Sequence, residues 1–434
     1  MILKNLDGNS KTIFRIIENL SSKRKLLQDN KSLIAKKIVK NVRLKGDNEI
    51  LKLEKRLNRI KNLKVKNFIF SKKEINSITK TLNKNTKTSI DLAYNRLIKF
   101  HSKQTMKKFK IIDNYKNQLE YKNSPIEKIG VYVPGGTASY PSSVLMSCIP
   151  AIVAGVKEIY LTTPALSNKP NPAVIYAAKK CGVKKIYKIG GAQAIAGLAY
   201  GTKTINKVNK IVGPGNAFVV SAKKEVFGDV GIDMVAGPSE VTVVADKYSN
   251  PRWVAADLIA QAEHDKFSQS ILICQDKLTI KKINMELTKQ LYSLPKRNIA
   301  SFSLKNYGYS IFAKNQRRIS DIINEIAPEH LELNLLNSEK ILKNIKNAGS
   351  IFIGKLTPEA FGDYLAGPNH ILPTTGSAKF SSGLSVFDFF KRQSMIKISK
   401  TGIERLGPSV INLARYENLE GHARSVELRI KKEN

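Results

Sequence analysis

Five histidines carry most of the acid–base and metal-binding capacity of this chain: His101, His264, His330, His370 and His422. An imidazole titrates near neutral pH and also ligates zinc, so a scarce histidine beside an amide or carboxylate is informative. His264 follows Gln261 by three positions in DLIAQAEHD, a helical pattern that puts both side chains on one face. Glu329 and His330 are adjacent in APEH, an acid next to a base. Asp363 in FGDYLAG and His370 in GPNHILP lie within a Gly/Pro/Ser-rich stretch, residues 357–385, which reads as a functional loop or a linker. His422 in EGHARS has Glu417 and Glu420 just upstream. Taken singly, each histidine reads more simply as a satisfied polar residue, and Asp363 as a turn residue. Together they supply two imidazoles and a carboxylate, an N/O set suited to zinc, although manganese or cobalt would also accept it. Their distance apart in the chain means spacing alone does not assemble them. His101 sits in a Lys-rich helical pattern and reads as a packing or surface residue, while a pocket role for His370 stays open.

Glycine turns offer a second kind of chemistry. GPGNAF, Gly213 to Phe218, follows a strand-like run and opens a helical one, and GGAQAIAG spans Gly190 to Gly197. A glycine turn at a helix N-terminus favours anions, but neither segment matches GxGxxG, and β-α turns need glycine in any case. AGPSE around Ser239 is not GxSxG and lies between strand-like runs, which argues against a serine nucleophile. Cys148, Cys181 and Cys274 make no CxxC pair and read as small core residues.

The elements that position these residues follow from periodicity. Residues 1 to about 125 read as mostly helical, with apolar residues at three- and four-residue spacing in LIAKKIVKNVRL and SIDLAYNRLIKF. From about 128 short β-rich runs alternate with helices: IEKIGVYVP, VKEIYLTT, VKKIYKIG and KVNKIVG each lead through a turn into a helical pattern. That alternation predicts a parallel sheet covered by helices. IDMVAG, VTVVAD, SQSILICQD, YGYSIFAK and AGSIFIG continue it, and the tail from about 386 reads as helices.

Composition excludes other classes. The 434 residues are 42% hydrophobic and 25% charged, ordinary globular usage. The longest apolar stretch, residues 144–156, is interrupted and falls short of the roughly 20 residues of a membrane span. The first 20 residues lack a signal peptide's apolar centre, so the expected location is the cytoplasm, with no membrane partner. The net charge of +38 could serve nucleic-acid binding, but the lysines are spread along the chain with no accompanying recognition motif. Composition drift is the simpler reading, so no specific nucleic-acid partner is expected.

VYVPGG, GGAQAIAGLAYG, KIVGPGNAFV, IDMVAGPSEV, DLIAQAEHD, APEHLEL, AGSIFIG, PEAFGDYLAGPNHILPT, FDFFKR and EGHA together resemble the histidinol dehydrogenase family, in family order over about 130 to 425. The resemblance implies an α/β fold of two Rossmann-like parallel-sheet units with small helical N- and C-terminal pieces. The implied division is an N-terminal helical segment 1–30, a first α/β domain formed by 31–130 with 242–385, a second, NAD-binding α/β domain 131–241, and a helical tail 386–434. It implies oxidation of L-histidinol to L-histidine through L-histidinaldehyde with two NAD+, in a homodimer with a shared active site. Zn2+, one per subunit, would be held by Gln261, His264, Asp363 and His422. Glu329 and His330 would be the catalytic pair. Ser239, Gln261, His264, His330, Asp363, Glu417 and His422 would bind substrate, and Tyr132, Gln193 and Asn216 would face NAD. A zinc-free NAD-dependent alcohol dehydrogenase is a competing reading, but leaves Asp363 and His422 without a purpose.

Overall fold

The computed structural model describes residues 2–29, 31–135, 140–165 and 170–430. Two parallel sheets organise it. A five-stranded sheet has the spatial order Lys185–Tyr187, Glu158–Thr162, Lys128–Tyr132, Lys210–Val212, Gly231–Ile232. A six-stranded sheet has the order Lys4–Asp7, Tyr309–Phe312, Gln269–Cys274, Glu240–Ala245, His330–Asn334, Ser350–Ile353. All neighbouring pairs within both sheets are parallel. In the five-stranded sheet the chain starts at a central strand, moves outward on one side, then crosses back to the other, as in doubly wound folds, and in the six-stranded sheet it does the same from Glu240–Ala245 onward, with Lys4–Asp7 added at one edge. The central strands EVTVVA and QSILIC are buried along their whole length, which explains their unbroken β-branched and aliphatic runs.

Helices cover both faces of each sheet. Pro251–Ala262, Lys277–Tyr292 and Arg297–Tyr307 bury Leu258, Ile283 and Leu304 on one face of the six-stranded sheet. Ile13–Asp29 and Gln316–Ile326 bury Ile13, Ile322 and Ile323 on the other. The four β-rich runs expected after residue 128 are all strands of the five-stranded sheet. Its covering helices are Pro141–Ala154, Pro172–Lys180, Gly191–Tyr200 and Ala217–Val226.

The first 130 residues differ from expectation in three ways. Lys4–Asp7 is an edge strand of the six-stranded sheet rather than part of a helical segment. The helices between 32 and 101 pack on the five-stranded sheet, with Val39 and Val42 beside Ile195 and Leu198, and Leu97 beside Ile149. They therefore share their main core with the five-stranded sheet, and meet residues 242–385 through the 357–385 stretch, at Ile371 and Leu384; an amphipathic stripe states that a face is buried, not against which partner. Phe109–Ile112 and Gln118–Pro125 are strands that form a separate antiparallel sheet with Phe390–Lys397, so the tail opens with a strand before its helices Lys400–Tyr416 and Glu420–Ile430. Among the described residues no helix is long and apolar enough to cross a membrane.

Candidate active site and metal ligands

A short connection joins the two sheets. Gly231–Ile232 finishes the five-stranded sheet, and seven residues separate it from Glu240–Ala245, a central strand of the six-stranded one. Seven residues reach at most roughly 25 Å, so the carboxyl edge of one sheet must lie near the amino edge of the other. The candidate residues collect at this junction.

Glu329 and His330 open the strand His330–Asn334 at its amino end. The preceding helix stops at Ala327, whose φ of +47° closes it as a left-handed cap, and Pro328 forbids its continuation. Glu240 then holds the pair with its main chain. Its N–H donates to Glu329 Oε2 at 2.9 Å, and its carbonyl lies 3.1 Å from His330 Nδ1. An Nδ1 proton donated to that carbonyl leaves Nε2 as the free, basic nitrogen. Burial lowers the His330 pKa, with Asp363 opposing, so the ring is neutral and able to accept a proton. Burial and the neighbouring Glu240 charge push Glu329 well above the usual carboxylate range, against the pull of Arg24.

Glu240 is itself fixed by residues that local sequence patterns do not reveal. The buried Arg24 guanidinium donates to the Glu240 carboxylate, to Gln269 Oε1 at 3.0 Å and to the Pro238 carbonyl at 2.6 Å. Thr375 N–H donates to the other Glu240 oxygen at 3.0 Å. Glu359 is also buried, with Oε2 lacking a hydrogen-bond partner and lying 3.9 Å from His330 Nδ1. Burial and the charge of Glu332 keep its carboxyl protonated.

The Gln261–His264 segment is held at the C-terminus of the helix Pro251–Ala262. Asn250 caps its start, accepting from Arg252 N–H at 3.0 Å, and Pro251 fits the first turn. The helix ends before His264, so the two side chains do not share a helical face as expected. The cap turn keeps them adjacent instead, with His264 N–H donating to the Gln261 carbonyl at 3.3 Å. Gln261 is buried, and its Nε2 has no hydrogen-bond partner. A buried amide left unpaired is costly, and a half-turn about its last bond brings the carbonyl oxygen to the same place as a metal donor. His264 is exposed, yet loss of solvation lowers its pKa, with Asp363 and Glu263 pulling the other way. It is a neutral imidazole, the form that ligates metals.

Asp363 comes from the short helix Glu359–Tyr364 inside the stretch 357–385, which is a loop around the site rather than a linker. Gly362 lets this helix lie against Phe352: a Cβ there would sit 2.6 Å from Phe352 Cζ. His370 Nδ1 lies 3.1 Å from the Asp363 carbonyl and 3.6 Å from its carboxylate. Burial works to raise the Asp363 pKa, but the hydrogen bond and charge of His370 outweigh it and keep it ionised. His370 thus lines the site by bracing Asp363. The same loop ties the two units together through Asn369, whose Nδ2 donates to the Met146 carbonyl at 2.6 Å. Tyr140, at the carboxyl edge of the five-stranded sheet, faces Asp363, Asp265 and Tyr364; burial and those groups raise its pKa.

Gln261, His264, Asp363, Glu329 and His330 are therefore gathered, with Ser239 immediately before the central strand. His422 and Glu417 are not. Both are exposed on the tail helices, and among the described residues no side-chain bond or electrostatic interaction joins either to this group. Among those residues no three His, Cys, Asp or Glu side chains close into a metal cage. The Gln261 amide, the His264 imidazole and the Asp363 carboxylate are donor types that zinc accepts.

The cofactor candidates lie at the opposite side of the junction. Tyr132 ends the central strand of the five-stranded sheet, where strand order reverses between Glu158–Thr162 and Lys210–Val212. Such a switch point opens a crevice at the carboxyl edge. The buried Tyr132 hydroxyl accepts from Gly191 N–H at 3.1 Å, and burial pushes its pKa up to about 12. Asn216 is exposed and caps Ala217–Val226, accepting from Phe218 N–H at 3.1 Å. Gln193 is turned inward, donating to Glu54 at 2.8 Å. Residues 136–139 of the neighbouring glycine motif lie outside the described residues. His101 is buried with Nδ1 2.9 Å from Gln104 Oε1, a packing role.

Comparison with known proteins adds a family. A sequence description of the family termed histidinol dehydrogenase matches residues 22–430. The histidinol dehydrogenase of Pelagibacter ubique (strain HTCC1062) is 54% identical over 434 residues, covering 99% of this chain and all of the relative. That of Brucella abortus (strain 2308) is 46% identical, covering 95% of each. The crystal structure of histidinol dehydrogenase from Elizabethkingia anophelis superposes with a TM-score of 0.90 at 34% identity, covering 99% of this chain and 98% of that one.

Proposed function

Because this chain belongs to the histidinol dehydrogenase family, NAD-dependent oxidoreductases of histidine biosynthesis, we propose that it oxidises L-histidinol to L-histidine through L-histidinaldehyde at the junction of its two sheets. What supports this reading is the gathering of a neutral imidazole at His330, a buried carboxyl at Glu329 and the side chains of His264 and Asp363, with Gln261 beside His264. The unpartnered amide of Gln261 is the most direct sign that the crevice holds something more.

Zn2+ would be held by Gln261, His264 and Asp363 with His422 as the fourth donor, and when bound supplies a fixed charge that orients the substrate imidazole and amine. Ser239 and Glu417 complete the substrate contacts, and Asn216, exposed at its helix cap, faces NAD with the buried Tyr132 and Gln193 behind it. In the first oxidation His330 Nε2 takes the hydroxyl proton while hydride leaves the same carbon for NAD+. The aldehyde cannot release its remaining C–H hydrogen as hydride until water adds to the carbonyl. Glu329, once ionised, takes a proton from that water while His330 returns its proton to the carbonyl oxygen, and the freed His330 then takes a hydroxyl proton of the hydrate as hydride leaves again. Carbon loses two hydrides in total, so two NAD+ are reduced per histidinol.

The tail supports a homodimer with a shared site. His422 and Glu417 stand exposed among bare apolar residues, Leu413 at 62% and Tyr416 at 87% exposure. Phe361 and Tyr364, beside Asp363, are each 57% exposed as well. Exposed apolar surface at two places that need each other is what a second copy of the chain would cover.

Mixed dimers test this arrangement. His264→Asn and His422→Asn should each be inactive alone. Co-produced with two different affinity tags, they should form mixed dimers in which one site has both lesions and the other has none. The doubly purified mixed dimer should recover about half of wild-type turnover, the share of intact sites. An inactive mixed dimer would place His422 in its own chain's site and end the shared-site reading.

A further inference from the structure

A buried charge pair lies beneath the cofactor crevice and has no part in the chemistry above. Lys223, on Ala217–Val226, and Asp233, just past Gly231–Ile232, have side chains only 3% and 1% exposed and are in direct contact. The rest of that helix face is apolar, with Val219, Ala222 and Val226 in the core. Desolvating a lysine and an aspartate is expensive, and such a pair adds little stability over an apolar replacement. Its geometry assigns it a different purpose.

Both members bind the same residue. Lys223 Nζ donates to the Gly213 carbonyl at 3.1 Å, and Asp233 Oδ2 accepts from Gly213 N–H at 2.8 Å. Asp233 Oδ1 also accepts from Met234 N–H at 2.7 Å. Gly213 has φ of +113°, and a Cβ on it would lie 2.1 Å from the Tyr132 carbonyl oxygen. The turn is thus pressed against Tyr132 in a conformation open to glycine, with both of its polar main-chain groups taken by the ion pair. Three residues later comes Asn216, and six residues beyond Asp233 comes Ser239. The charged neighbour Lys210 donates to the Asp388 carbonyl at 2.7 Å and completes the group around the pair.

We propose that the Lys223–Asp233 pair is a positioning element for NAD, fixing the Gly213 turn so that Tyr132 and Asn216 face the dinucleotide. The proposal rests on the reading of the switch-point crevice as the NAD site. Lys223→Met removes the ammonium group and keeps most of the stem. Initial rates with NAD+ and L-histidinol varied separately should show the KM for NAD+ raised about tenfold or more, with the KM for L-histidinol within about twofold. A pair with only a structural role would lower the melting temperature and leave the ratio of the two KM values unchanged. That result overturns the proposal. If Lys223→Met does not accumulate as folded protein, Lys223→Met/Asp233→Asn carries the same test, since it leaves no buried charge unpaired.

Asn216→Asp separates this inference from the reading beneath it. It keeps a capping oxygen for the helix while adding negative charge against a dinucleotide phosphate. A raised KM for NAD+ in Asn216→Asp but not in the lysine variants sinks the positioning role alone. Unchanged values in all of them place the cofactor elsewhere and overturn both.

Discussion

His330→Asn should slow both oxidation steps by about 10²–10⁴-fold, the usual range for loss of a general base. Asparagine fills similar space, and its amide can still donate to the Glu240 carbonyl that now lies 3.1 Å from His330 Nδ1. The strand His330–Asn334 therefore keeps its register while the basic nitrogen is lost. Steady-state assays with L-histidinol and with L-histidinaldehyde as separate substrates read the two steps independently. Each step needs a proton removed from a hydroxyl as hydride leaves, so the losses should be of similar size. A variant that oxidises either substrate at a near-normal rate would remove His330 from that step.

Glu329→Gln should separate the steps instead. The glutamine carbonyl can still accept from Glu240 N–H, so the local hydrogen bond survives. What disappears is the carboxylate that takes a proton from water. Oxidation of the aldehyde should fall about 10²-fold or more, while oxidation of the alcohol changes by less than about tenfold. The pH dependence gives a second readout. Burial and the Glu240 charge raise the Glu329 pKa, so the carboxyl stays protonated to a higher pH than an ordinary glutamate. Water activation needs the ionised form, so the wild-type aldehyde step should speed up as pH rises through that raised value. The variant, with nothing to ionise at this position, should lose that rise. Equal losses in the two half-reactions, or a variant that keeps the same rise, would assign the water-activating role to another group.

Part of this architecture was legible because it is local. The β-α alternation after residue 128 produced the expected strands, since a parallel strand buried on both faces needs a continuous β-branched run. The Gln261–His264 spacing survived even though the helix stops short, because a C-cap turn still folds the third residue back onto the first. Arg24 and Glu240 were illegible for the opposite reason. They are 216 positions apart, and nothing in the pattern around Arg24 distinguishes it from the lysines on either side. Likewise, the stripe Val39, Val42 on Ser32–Lys45 says that a face is buried, but not that it belongs to the five-stranded sheet. The strands Phe109–Ile112 and Phe390–Lys397 are largely exposed and mix lysine with apolar residues, so neither shows a clean alternation. His422 and Glu417 mark the limit of a single chain: their local sequence named them, and their surroundings in one copy give them no partner.

The central claim is that one crevice takes L-histidinol through two NAD-linked oxidations with zinc in place. Metal-depleted protein, assayed by NADH absorbance with limiting L-histidinol and with or without added zinc, tests it most directly. The account predicts no NADH without zinc and about two NADH per histidinol with it, since two hydrides leave one carbon. One NADH per histidinol would contradict the second step and the role given to Glu329, and full turnover by the metal-depleted protein would contradict the metal site at Gln261, His264 and Asp363.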